Sequence, residues 1–150
     1  MIKIFLQFLI LFLSVLNCQN NNEIKQFNIE IRDFDGSQGY SLTYKMNQDS
    51  LKILYNCDFE NCVEKNIYNI ELEKRQVSIL YEYLKNSSLD SLKSKYIEEG
   101  YDGINLRLKV SGEEINSKIV RMERYIHPEV EKLLTEFNKL IPEKKYKLYD

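Results

Sequence analysis

The chain has 150 residues, with 21 basic and 23 acidic side chains and a formal net charge of −2. That is the length of one domain near charge balance, so composition makes no case for a nucleic-acid partner, which would need a basic face. Glycine and proline are scarce, tryptophan is absent and tyrosine numbers 11, so the chain is neither low-complexity nor compositionally disordered.

The first element is a targeting signal. Lys3 precedes an apolar run from Ile4 to Leu16, broken only by Gln7 and Ser14, and Cys18 follows. A basic start and a short apolar core read as a secretory signal. The run is about 13 residues, short of the ~20 that a spanning helix needs. Val15-Leu16-Asn17-Cys18 resembles a bacterial lipobox, with Asn17 in the place of the usual smaller residue. The expectation is a signal peptide over residues 1–17 and a lipidated Cys18. Gln19-Asn20-Asn21-Asn22-Glu23 has no apolar period, so residues 18–24 read as a flexible tether. The protein is then exported and lipid-anchored in the bacterial cell envelope, facing the periplasm or the surface. The rival expectation is plain secretion, although no small-x-small cleavage site precedes Cys18.

A single domain over 25–142 follows. Phe27, Ile29 and Ile31 alternate with polar neighbours as a half-buried strand does. A turn over Asp33–Gly39 leads to Tyr40, Leu42, Tyr44 and Met46 on one face of a second strand. After Asn47–Ser50, Leu51, Ile53, Tyr55 and Cys57 make a third. Cys57 and Cys62 flank four residues, a natural hairpin loop, and with Cys18 assigned to lipid they form an even pair in an oxidising compartment. A Cys57–Cys62 disulfide is expected, worth about 2 kcal/mol for so short a loop. Free thiols are the alternative, because no histidine or second cysteine pair completes a zinc site and the spacing is not that of a redox pair. Val63–Leu72 is a fourth strand, rich in β-branched and aromatic residues.

The period changes near Glu73. Val77, Leu80, Tyr81 and Leu84 have helical spacing. Ser88 is placed to cap a second short helix with Leu89, Leu92 and Tyr96. Ile104, Leu106, Leu108 and Val110 alternate as a strand, Ser111–Glu114 turns, and the return strand has two candidate inward faces. One holds Ile115, Ser117, Ile119 and Arg121, and the other holds Val120 and Met122. Pro128 opens a final helix with Val130, Leu133, Leu134, Phe137, Leu140 and Ile141 as its stripe. Pro142 ends it, and 143–150 is a charged C-terminal tail. The order predicts an α+β fold with a mainly antiparallel sheet of about six strands: a four-strand meander, a helix, a hairpin and a C-terminal helix, with the helices on one face. The other face is left free for a partner.

Gly39-Tyr40-Ser41-Leu42, Leu89-Asp90-Ser91-Leu92-Lys93-Ser94-Lys95-Tyr96, Tyr101-Asp102-Gly103 and the Pro128-led helix resemble small uncharacterised bacterial lipoproteins that carry a domain of unknown function. The resemblance spans most of 39–141. It implies the fold and the address, and no activity.

No catalytic residues, cofactors or metal are expected. His127, the sole histidine, precedes Pro128 and reads as a helix cap or a solvated side chain. Asp33-Phe34-Asp35-Gly36-Ser37 has the look of a calcium loop but lacks the third ligand position and the closing glutamate, so it reads as a turn. Glu98, Glu99 and Asp102 have the chemistry for acid–base work, yet a solvated loop accounts for them. Asn86-Ser87-Ser88 is a glycosylation acceptor only in a eukaryote. Tyr40, Tyr44, Tyr55, Tyr68, Tyr81, Tyr83, Tyr96 and Tyr101 read as core edges or, if clustered on the open sheet face, as a binding surface. The functional expectation is a non-enzymatic protein-binding or inhibitor/immunity-type module with a protein partner in the envelope and the membrane reached through lipid. Alternatives are a carboxylate-based hydrolase or a structural assembly component.

Overall fold

The computed structural model describes residues 24–35, 39–57, 63–100 and 103–149. The strands are β1 (Phe27–Asp35), β2 (Tyr40–Asn47), β3 (Ser50–Cys57), β4 (Lys65–Glu71), β5 (Lys95–Ile97), β6 (Asn105–Gly112) and β7 (Lys118–Glu123). The helices are α1 (Lys74–Asn86) and α2 (Pro128–Asn138). They build an α+β fold around one sheet of order β4-β3-β2-β1-β6-β7-β5.

The meander β1–β4 is present as the alternation predicts. Its tightest turn is set by Asn47, whose Oδ1 accepts from the backbone N–H groups of Asp49 at 2.9 Å and Ser50 at 2.8 Å. A short side chain that bonds its own backbone two and three residues on fixes such a turn. β4 then lies at one edge, and α1 starts the return across the sheet. The sheet's other edge is six strand spacings away, about 29 Å. A 13-residue helix covers about 20 Å, and the segment through Leu92 supplies the rest.

Both helices lie on one face. Phe27 of β1 meets Tyr81 of α1 with ring centroids 5.6 Å apart, and Tyr44 of β2 meets Phe137 of α2 edge-on at 6.1 Å. Ile29, Ile31, Leu51, Ile53, Leu106 and Leu108 fill the layer between, each 0–1% exposed. His127 does act as a cap: its Nδ1 accepts from the Glu129 backbone N–H at 3.2 Å. That satisfies one of the donors that a helix start leaves open.

The sheet is mainly antiparallel, as expected, and its seven strands add one to the expected six or so; finer expectations need correction. The second short helix is a single 3-10 turn, Leu89–Ser91, and Tyr96 sits in β5. β5 pairs parallel to β7, so the sheet is mixed at that edge. The Ser88 side chain makes no cap there. The ambiguous return strand turns Val120 and Met122 inward, both fully buried, because its register sets them opposite Leu108 and Leu106. Leu140 and Ile141 are buried beyond the end of α2. The charged C-terminal stretch is docked on the domain: Leu148 is 2% exposed, and Asn138 holds its backbone through Nδ2 to O at 2.8 Å and N to Oδ1 at 2.9 Å.

Candidate binding face of the sheet

Directly paired residues in a sheet share a face, so the register determines what the side opposite the helices presents. Two rows of side chains cross it. In the first, Arg32 of β1 stands opposite Arg107 of β6, Arg107 opposite Arg121 of β7, and Arg121 opposite Lys95 of β5. In the second, Lys52 of β3 faces Lys45 of β2, which faces Glu30 of β1, which faces Lys109 of β6. Among the described strand residues, the acids on this face are Glu30, Glu71 and Glu123. A chain of net charge −2 thus carries a cationic sheet face, its excess acids lying elsewhere.

Like charges placed directly opposite across strands are destabilising. This face has four such pairs: Arg32–Arg107, Arg107–Arg121, Arg121–Lys95 and Lys45–Lys52. Compensation is partial. Glu123 takes Arg121 Nε at 3.0 Å and lies 3.9 Å from Lys95 Nζ. Arg32 donates from Nε to Ser41 Oγ at 3.1 Å and stacks over Phe34 at 4.4 Å. Lys45, Lys52, Arg107 and Lys109 are exposed, and none forms an ion pair among the described residues.

The lysine row borders a basin of about 420 Å³ on the open face, where Lys45, Lys52 and Lys109 surround Glu30 beside Asn28 and Asn47. Three ammonium groups against one carboxylate leave the lining with an excess of charged donors suited to oxyanions. Two aliphatic side chains on the same face, Ile97 and Ile119, are 49% and 43% exposed.

None of the described tyrosines considered above lies on this face. Tyr40, Tyr44, Tyr55 and Tyr68 lie on the helix side of the sheet, with Tyr40 and Tyr55 stacked at 5.3 Å. Tyr81 is buried and donates to Glu114 Oε2 at 3.1 Å, beside the Lys85 ammonium at 2.7 Å. Those two partners, Lys85 first, hold the Glu114 carboxyl below its ordinary range. Tyr83 donates to the Glu129 carbonyl at 3.0 Å. Tyr96 joins Tyr125 and His127 in a ring cluster, with centroids 5.8 and 5.1 Å from Tyr96. The tyrosine binding surface is therefore replaced by a cationic one, and composition gave no hint of it.

The other candidates disperse. Asp33 lies on the helix side and accepts from the Tyr149 hydroxyl. Glu98 and Glu99 are exposed, and the Glu98 carbonyl accepts from Arg124 Nε at 2.5 Å. Cys57 ends β3 opposite Tyr40. Cys18, Cys62, Gly36, Ser37, Tyr101 and Asp102 lie outside the described residues, as does the signal over 1–17. Among the described residues, no cluster of His, Cys, Asp and Glu is placed to hold a metal. No described helix is long and apolar enough to cross a membrane. No protein-family model matches the chain, and no curated protein matches it either.

Proposed function

We propose that this chain is an exported protein, anchored in a bacterial cell envelope by lipid on Cys18, and that it acts by binding, as a partner-recognition module of the inhibitor or immunity kind. The sheet face opposite the helices carries this reading. Lys45, Lys52, Lys95, Arg107, Lys109 and Arg121 are exposed on it, while Ser41, Thr43 and Leu54 on its β2–β3 part are buried, and it keeps like-charged neighbours that cost stability without serving the fold. Stability conceded on a surface is a mark of a surface used for recognition.

The address rests on the basic start, the short apolar core and Val15-Leu16-Asn17-Cys18. Cys18→Ala should abolish acyl labelling and release the protein from membranes; unchanged labelling and fractionation would refute the anchor. Cys57 is not a free thiol, which supports a bridge to Cys62. Binding is tested by pull-down of the full-length protein from detergent-solubilised membranes. A stoichiometric envelope protein should be recovered, and repeated recovery of the bait alone would refute a protein-binding role.

A further inference from the structure

We infer that the surface recognised by the cationic sheet face is the layer of anionic phospholipid headgroups of the membrane that anchors the chain. This deepens the proposed function and rests on its lipid anchor.

Three observations lead there. The first is charge. The arginine row crosses four strands, roughly 14 Å at strand spacing, and the lysine basin adjoins it. Such an extended array offers several cations to a layer of phosphates, and it extends too far for one small anion. Basic residues near a membrane surface are drawn to anionic lipid, and salt screens the attraction. The second is the chain outside the described structure. Gln26 is pinned where its carbonyl accepts from Glu113 N at 3.0 Å, at the start of β1. Seven residues, or eight steps of chain, separate it from Cys18, so the pinned end cannot stand more than about 28 Å from the lipid-bearing residue. Asn28 and Ser111, both lining the lysine basin, lie at that same end of the sheet. The third is the pairing of exposed aliphatics with cations. Ile97 and Ile119 flank the arginine row, and apolar side chains among basic ones characterise surfaces that lie in the headgroup boundary.

The absence of tryptophan allows a single reporter. Full-length lipidated protein carrying Ile119→Trp is reconstituted into vesicles of phosphatidylcholine, or of two parts phosphatidylcholine to one part phosphatidylglycerol. Both contain a trace of headgroup-nitroxide lipid as quencher. Ile79→Trp, on the exposed side of α1 and 57% exposed in the parent, is the control. Ile119→Trp should be quenched with phosphatidylglycerol and released by high salt, while Ile79→Trp stays bright. Adding Arg107→Gln should weaken docking roughly fivefold, and Arg107→Gln with Lys109→Gln roughly 25-fold. Both substitutions are exposed and leave the core intact, and flotation with pure phosphatidylcholine reports the anchor separately. Protein that floats but shows equal quenching at both positions, or quenching indifferent to phosphatidylglycerol, overturns the docking and leaves the anchor standing. Protein that fails to float overturns the anchor. A response of Ile119→Trp to double-stranded DNA or polyglutamate, with none to the anionic vesicles, overturns the lipid in favour of another polyanion.

Discussion

Arg107 is the position where fold and function should oppose each other most clearly. It stands directly between Arg32 and Arg121, exposed and without an ion pair among the described residues. Arg107→Glu turns two repulsive cross-strand pairs into attractive ones. Cross-strand pairs are worth roughly 0.2–1 kcal/mol each, and exposure keeps them in the lower half of that range. Reversing both gives a gross gain of about 1–2 kcal/mol. Glutamate suits a strand less well than arginine, which removes about 0.5 kcal/mol. The net expectation is a stabilisation of about 0.5–1.5 kcal/mol, or roughly 2–6 °C in Tm for a domain of this size. The assay is thermal unfolding followed by circular dichroism at low salt and again near 1 M NaCl, where the screening length falls to about 3 Å. The low-salt gain should collapse at high salt, and the same variant should lose docking to anionic vesicles. A Tm that falls at low salt, or a gain equal at both salts, would show that the arginine row carries no electrostatic strain.

Asn138→Ala removes both hydrogen bonds that hold the Leu148 backbone. It should cost about 1–3 kcal/mol and make the chain after Pro142 sensitive to limited proteolysis; an unchanged digestion pattern would mean the segment docks through Leu148 and Tyr146 alone. Gly103→Ala places a Cβ 2.8 Å from Arg124 Cγ at a φ of +145°, so denaturant titration should show a loss of about 1–3 kcal/mol. Stability should also fall at alkaline pH. Burial, then Asp33 and Tyr40, push the Tyr44 phenol well above its ordinary value, and burial with the Asp33 hydrogen bond does the same for Tyr149. The folded state holds these protons more tightly than the unfolded one, so their stabilisation is complete below about pH 10 and is lost as pH rises through the raised values. Urea midpoints from about pH 9 to 12 should decline, less steeply in Tyr44→Phe. On the acid side, Glu114 beside Lys85 and Tyr81, and Glu129 beside Lys132, titrate below the ordinary range. Their stabilisation is present above about pH 4.3 and is lost as pH falls through the lowered values.

Most of the local structure was legible because the meander strands turn their large apolar residues mainly to the helix side, and alternation along the sequence records that directly. The helices were legible for the same reason at period 3.6. What the sequence concealed depends on partners remote in the chain. Lys95–Ile97 is too short to show a period, and it is a strand only because β7 lies beside it. Ile119 and Val120 are both good core residues; the register against Leu108 decides between them. Leu148 is a single apolar residue in a charged stretch, and its burial depends on Asn138 ten positions earlier.

The cationic face was hidden for a further reason. A net charge is a sum, whereas a sheet sorts charges by direction. Arg32, Lys95, Arg107 and Arg121 are spread over ninety residues, and Arg107 and Arg121 each sit between two apolar residues, so adjacency along the chain does not mark the row. Antiparallel register between β1, β6 and β7, and parallel register with β5, bring them into one line. Near-balance in composition therefore argues only against a wholly basic protein, and says nothing of one basic side. For a domain held within a few tens of ångströms of a bilayer, the distribution matters more than the sum. Headgroup phosphates attract the near face within a screening length of about 8–10 Å, while acids on the far side lie beyond it. A protein with net negative charge can in this way be drawn to an anionic surface, in one orientation only.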